Sequence, residues 1–223
     1  MSKILLLVTS HAALGETGKA TGVYLPELVH PYKIFEQAGY QVEVASPQGG
    51  QAPVDPSSLT EELLPSLSLL KHTIPFRQVN AREYAACLLV GGHGVMWDFP
   101  ANPTLQAILT DAWENGGIIA AVCHGVAGLL HLADADGRSL LSGKQVTGFS
   151  NEEEKAVGLS QVVPFLLEDA LKRAGAQYSS APAWQAHLVM DGNLITGQNP
   201  ASARKVAEAI CVRLRFPPLQ AQA

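Results

Sequence analysis

Residues 118–130, Ile-Ile-Ala-Ala-Val-Cys-His-Gly-Val-Ala-Gly-Leu-Leu, decide how the chain is read. An apolar run of strand length stops abruptly at Cys123-His124-Gly125, and a helix-like apolar segment follows without a linker. That is the sequence form of a nucleophile elbow, a sharp strand-to-helix turn that thrusts one side chain over the end of a sheet. Ala120, Ala121 and Gly125 are small enough to let strand and helix approach closely around the turn. Cys123 is the side chain so presented. Beside the first amides of a helix, partial positive charge favours thiolate over thiol. The competing reading is plain core packing, because free cysteines are among the most buried residues.

Working outward, residues 3–8 form a run too continuous for a sheet with one wet face, and read as a buried strand. Residues 9–24 are a long polar loop carrying Gly15, Gly18 and Gly22. Pro26 and Glu27 open a helix that stops at Gly39. Residues 41–45 are a second strand, 46–58 a loop and 59–70 a helix. A third strand over 86–90 ends at Gly91-Gly92-His93-Gly94, and a helix over 103–115 leads to the elbow strand. Beyond the elbow, 144–149 reads as a strand entering Asn151-Glu152-Glu153-Glu154, and 162–174 as an amphipathic helix. Short strands follow at 177–178, 187–190 and 194–196, then a helix over 199–214. Strand and helix alternate at βαβ spacing, which predicts an α/β fold with a mostly parallel sheet and helices on both faces. Residues 1–215 read as one domain and 216–223 as a loose tail.

Composition narrows the function. Apolar residues are 47% of the 223 and aromatics only 6%, so the core is largely aliphatic. A net charge of −5, with no run among the 15 basic residues, argues against a nucleic-acid surface. Cys87, Cys123 and Cys211 form neither a disulfide ladder nor a CxxC pair, which fits a reducing compartment. The apolar start is too short for a signal peptide, and no stretch approaches membrane-spanning length. The expectation is a cytoplasmic protein without a membrane partner.

Chemistry at Cys123 needs a base, an orienter, an oxyanion hole and an acid. His124 can lay its ring beside the sulfur while its amide points into the hole. Residues 91–94, at the end of a neighbouring strand, offer a second donor amide where glycine clears the way for a substrate oxygen, or are an ordinary tight turn. Glu27 is either a helix-dipole partner in water or a carboxyl that projects over the sheet edge and passes protons to and from Cys123. Glu152, Glu153 and Glu154 are a solvated helix start, or one of them orients His124 as the third member of a Cys-His-acid triad. His30 lines the site or packs, and Asp98 caps a helix start. Gly91, His93 and Trp97 are candidate substrate contacts, with Trp184 and the 9–24 loop as further lid segments. The seven histidines show no His-x-x-x-His spacing, so no metal site is expected.

In order along the chain stand Thr21-Gly22-x-x-x-x-Glu27, Ala45-Ser46-Pro47-x-Gly49-Gly50, Gly91-Gly92-His93-Gly94 and Ala121-Val122-Cys123-His124-Gly125. Thr147-Gly148-Phe149-x-x-Glu152-Glu153-Glu154 and the stretch from Asp191 to Pro200 follow. This series resembles the ThiJ/PfpI superfamily, and within it the branch of glyoxalase III enzymes and heat-shock chaperones. The resemblance implies a flavodoxin-like three-layer sandwich, similar to class I glutamine amidotransferases, and by the family's habit a homodimer. It also implies roles: Cys123 as nucleophile, Glu27 as the buried carboxyl near its sulfur, His124 and Glu154 as the rest of the triad. The amides of Gly92 and His124 would form the oxyanion hole. Amidotransferases carry His-x-Glu far downstream of the cysteine; no such pair follows Cys123, so glutamine hydrolysis is not expected.

The function so implied is conversion of methylglyoxal, or a related small 2-oxoaldehyde, to D-lactate or the matching 2-hydroxy acid, with no glutathione, metal or other cofactor. Second in rank stands another Cys-dependent hydrolase, deglycase or lyase using the same elbow. A stress chaperone or oxidation sensor built on an exposed low-pKa thiol stands third.

Overall fold

The computed structural model describes residues 2–133 and 137–216. Of the expected tail only Phe216 is among them, and the remainder lies outside the described residues. The strands are β1 (Lys3–Leu7), β2 (Gln41–Ser46), β3 (Ile74–Pro75), β4 (Tyr84–Leu89), β5 (Ile118–Val122), β6 (Gln145–Val146), β7 (Gln177–Tyr178), β8 (Leu188–Asp191) and β9 (Leu194–Gly197). The helices are α1 (Leu25–Gln37), α2 (Val95–Asp98), α3 (Pro103–Glu114), α4 (Asn151–Ala156), α5 (Leu167–Arg173) and α6 (Ala203–Arg215). Seven strands form one sheet in the order β3-β2-β1-β4-β5-β9-β8, parallel throughout except that β8 returns antiparallel to β9. β6 and β7 make a separate parallel pair.

The buried strands divide their side chains between two cores, as a two-residue period requires. From β1, Ile4 and Leu6 join Leu28 and Phe35 of α1 and Val206 and Ile210 of α6 on one face. Leu5 and Leu7 point the other way, to Leu105 and Leu109 of α3 and to Val126 and Leu129 beyond the elbow. Helices therefore cover both faces, and the three layers are the flavodoxin-like arrangement expected. The carboxyl ends of β1, β4 and β5 open at one edge, where sheets of this kind place ligands.

Four elements differ from expectation. Residues 61–70 form a 3₁₀ helix rather than an α-helix, with Pro65 inside the run. The strand expected over 144–149 is only Gln145–Val146; the Thr147 amide bonds to Thr196 Oγ1 and that of Phe149 to the Cys123 carbonyl. Pro164 delays the next helix, which begins at Leu167 rather than near 162. After Cys123 the chain also runs as a 3₁₀ segment, Cys123–Leu129, not as an α-helix.

That segment packs tightly under β4. A Cβ on Gly125 would overlap the Leu89 carbonyl oxygen and stand 2.9 Å from its carbon, both backbone atoms that cannot turn aside. Gly125→Ala is expected to cost at least about 1–3 kcal/mol, the range for overpacking. A urea melt reads this directly, and a midpoint equal to wild type would refute it.

Candidate active site

Cys123 ends β5 with φ at +58°, one of only two non-glycine residues with positive φ among those described. The bend turns its side chain off the strand line and over the sheet edge, although the residue is only 3% exposed. His124 follows, equally buried, with Nδ1 3.3 Å from the sulfur. Its Nε2 lies 2.7 Å from Glu154 Oε2, on α4. The other Glu154 oxygen, Oε1, is 2.9 Å from Nε2 of His93, which sits in the turn after β4. One carboxylate thus accepts from two imidazoles, whose ring centres lie 4.1 Å apart with their planes tilted by 42°.

Charge follows from these contacts. Burial raises Glu154, but the hydrogen bonds from His124 and His93 outweigh it and hold the carboxyl at about 2. Burial lowers His124 to about 4, with His93 acting in the same sense. The ring is therefore neutral near pH 7. Because Glu154 can only accept, the His124 proton is assigned to Nε2, leaving the Nδ1 lone pair facing the thiol.

Glu27 faces Cys123 from the other side. It lies in the first turn of α1 and is wholly buried. Neither carboxyl oxygen has a hydrogen bond of good geometry. Burial pushes the group up to about 8, while the facing Cys123 side chain and Gly91 amide pull it back. Near neutral pH Glu27 holds its proton. The thiol too is raised, by burial first and then by Glu27, with the His124 amide opposing. The expected stabilisation of a thiolate by a following helix is thus overturned. The segment is short and 3₁₀, and an apolar enclosure disfavours the anion.

A cavity of about 770 Å³ opens onto Cys123, with Gly92, His93 and His124 at its floor and Tyr24, Phe149 and Trp184 among its walls. Gly91 does not line it. A Cβ there would overlap Glu27 Oε2 and come within 2.8 Å of the Cys123 Cβ, so this glycine lets acid and thiol meet. Trp97 is also outside; it stacks on His11 at 5.1 Å and props the 9–24 loop. The tryptophan on the cavity is Trp184. Asp98 is no helix cap: it accepts from Thr9 Oγ1 and the Ser10 amide, and Asn102 caps α3. His30 is half-buried on α1 and absent from the cavity wall.

The acidic run is not a solvated helix start. Glu153 is fully buried and closes a capping box with Ser150, a pattern that Ser150-x-x-Glu153 spelled out in sequence. Its Oε1 accepts from the Trp184 amide at 2.9 Å and from Asn199 Nδ2 at 2.7 Å, and its Oε2 from Gln198 Nε2 at 3.1 Å. Trp184 is the second non-glycine residue with positive φ, at +66°, a conformation that costs about 1–3 kcal/mol and persists only where its surroundings enforce it. Sequence spacing likewise missed that His93, His124 and Glu154 gather three ligand atoms within 4.8 Å, a set able to hold a metal ion. Their lone pairs and protons are already engaged with one another.

The sequence model of the DJ-1/PfpI family matches residues 19–212. The chain is 34% identical to the glutathione-independent glyoxalase HSP31 of Saccharomyces cerevisiae, over 92% of this chain and 94% of that one. Its fold superposes on Rapid Encystment Protein 24 KDa of Francisella tularensis with a TM-score of 0.92 at 42% identity, covering 96% of this chain and 99% of the other. Glyoxalase III of Candida albicans gives a TM-score of 0.87 at 30% identity, covering 95% and 96%.

The burial of Glu27 has a measurable consequence for stability. Its pKa rises from 4.5 to about 8 on folding. Between those values the unfolded chain has released the proton and the folded chain has not, so this stability is full below 4.5 and drains as pH rises to 8. Glu27→Gln has no proton to lose. Its melting temperature relative to wild type should climb by at least a few degrees between pH 5 and pH 8, at about 2–4 °C per kcal/mol. A difference independent of pH would contradict a protonated Glu27.

Proposed function

The chain belongs to the DJ-1/PfpI family, and on that footing we propose that it is a glutathione-independent glyoxalase, turning methylglyoxal or a related 2-oxoaldehyde into the 2-hydroxy acid, D-lactate in the case of methylglyoxal. One observation carries the reading: Cys123 stands between a neutral imidazole and a buried, protonated carboxyl. An internal redox reaction of a dicarbonyl needs a nucleophile, a base and a proton carrier, all within reach of two adjacent carbons.

The thiol proton passes to His124 Nδ1 as the sulfur adds to the aldehyde carbon C1. Glu27 gives its proton to the new alkoxide, which lies against the amides of Gly92 and His124. The hemithioacetal leaves Glu27 as a carboxylate beside C1. It takes the C1 proton while His124 protonates the C2 oxygen, giving an enediol. Glu27 then delivers its proton to C2, and the C1 hydroxyl returns one to His124 as the thioester carbonyl forms. C1 has been oxidised and C2 reduced, with no external electron acceptor. Glu27 takes a proton from water as the oxygen attacks the thioester, His124 gives its proton to the sulfur as the C–S bond breaks, and the 2-hydroxy acid departs. Glu154, bonded to Nε2, holds the His124 ring with Nδ1 toward the sulfur. A positioned base is worth ~10²–10⁴-fold, and one oxyanion donor ~10²–10³-fold. Small-molecule action as a cytoplasmic homodimer belongs to the same proposal, with sedimentation reading the assembly.

D-lactate formation from methylglyoxal, without glutathione or added metal, is the direct test. Cys123→Ala should abolish it and Glu27→Gln should lower kcat by ~10²-fold or more, both with intact folds by circular dichroism. Full turnover in Cys123→Ala would sink the proposal. The wild-type profile of kcat/KM should fall above about 8, as Glu27 loses its proton, and below about 4, as His124 gains one. An alkaline limb absent up to pH 9.5 would remove Glu27 from the proton path.

A further inference from the structure

A three-carbon dicarbonyl leaves most of the cavity empty. About 770 Å³ lies in the range of pockets that enclose drug-sized ligands. Beyond Cys123 the wall divides: Lys19, Asp55 and Ser57 are its polar members, while Leu14, Tyr24, Phe149, Val157, Leu159 and Trp184 supply an apolar surface. Three rings lead outward from the chemistry. His124 packs against Phe149 at 4.3 Å with the planes tilted by 34°, and Phe149 meets Trp184 edge-on at 5.9 Å.

Trp184 is the unusual member. Its side of the rim is open, and the residue is 49% exposed. A bulky residue with positive φ is a rarity, and packing of the indole does not explain it, since half of the residue is in water. The backbone around it is held nonetheless. Its amide is tied to Glu153, Asn199 Nδ2 donates to the Gln185 carbonyl at 2.8 Å, and the Ala181 amide donates to Gln198 Oε1 at 2.8 Å. Buried groups on either side of the site thus fix an exposed aromatic at its mouth. Such rigidity favours a ring meant to meet a ligand over one that merely drifts on the surface.

We infer that Trp184 and Phe149 form an aromatic subsite for the C2 substituent, and that the preferred substrates are 2-oxoaldehydes bearing an aryl or comparably large apolar group. This rests on the glyoxalase reading. With C1 bonded to the sulfur, the C2 substituent is the part free to extend from Cys123 along the ring wall, where methyl reaches little of it. Trp184 is a specificity-determining residue, and the steps at Cys123 are unchanged.

Phenylglyoxal, compared with methylglyoxal in glutathione-free assays, tests it. Wild type should show the higher kcat/KM for phenylglyoxal. Trp184→Gly keeps the positive φ without strain and removes the ring. It should lower the phenylglyoxal-to-methylglyoxal ratio of kcat/KM about tenfold, the order of one aromatic contact, through KM rather than kcat. Trp184→Phe should restore much of the ratio. Cys123-dependent methylglyoxal turnover with an unchanged ratio in Trp184→Gly would overturn the subsite and leave the glyoxalase standing. Turnover of neither aldehyde by wild type would overturn both.

Discussion

At Cys123 the chain leaves a fully buried strand with left-handed backbone, and the bend can form only where neighbouring backbones come unusually close. Gly125 must lie against the Leu89 carbonyl, and Gly91 must leave room for the Glu27 carboxyl beside the Cys123 Cβ. The central strands β1, β4 and β5 carry apolar side chains to both cores, so the sheet holding this bend has little freedom to relax. Strain of about 1–3 kcal/mol at one residue is sustained by the packing of two layers. The side chain it presents is aimed by the fold rather than by its own rotamer.

Around that sulfur stand two carboxyls whose environments push them in opposite directions. Glu27, wholly buried, keeps its proton to about pH 8; Glu154, with two imidazole donors, gives its proton up at about 2. Such divergence is how one site assigns an acid and an electrostatic anchor at a single pH. The neutral His124 between sulfur and Glu154 follows from the same arithmetic. Burial alone would make a poor place for an ion, and the site resolves this by storing its reactive groups as neutral acids and bases.

Much of this was legible in the residues. The run ending in Cys123-His124-Gly125 specified the elbow, and alternation of apolar strands with capped helices specified the parallel sheet. Glu27, the Cys123-His124 pair and Glu154 are gathered from three distant places by their resemblance to a motif series, and in space they adjoin. What escaped was set by three-dimensional neighbours. No local pattern says that Trp97 stacks on His11 while Trp184 reaches the cavity, or that His93 shares Glu154 with His124. The sequence predicts a helix dipole acting on the thiol, yet the segment is 3₁₀ and burial governs the proton. Only the Ser150–Glu153 capping box was present in plain sequence and passed over.

Glu153 and Glu154 are consecutive residues of one short helix, and they hold different things. Glu153 fixes the backbone that carries the rim, and Glu154 fixes the imidazole beside the sulfur. A displacement of α4 would therefore carry both away together, so the doorway and the chemistry cannot drift apart in a lineage by backbone change. Diversification of what the pocket admits is confined to side-chain exchange on an immovable frame, at positions such as 184.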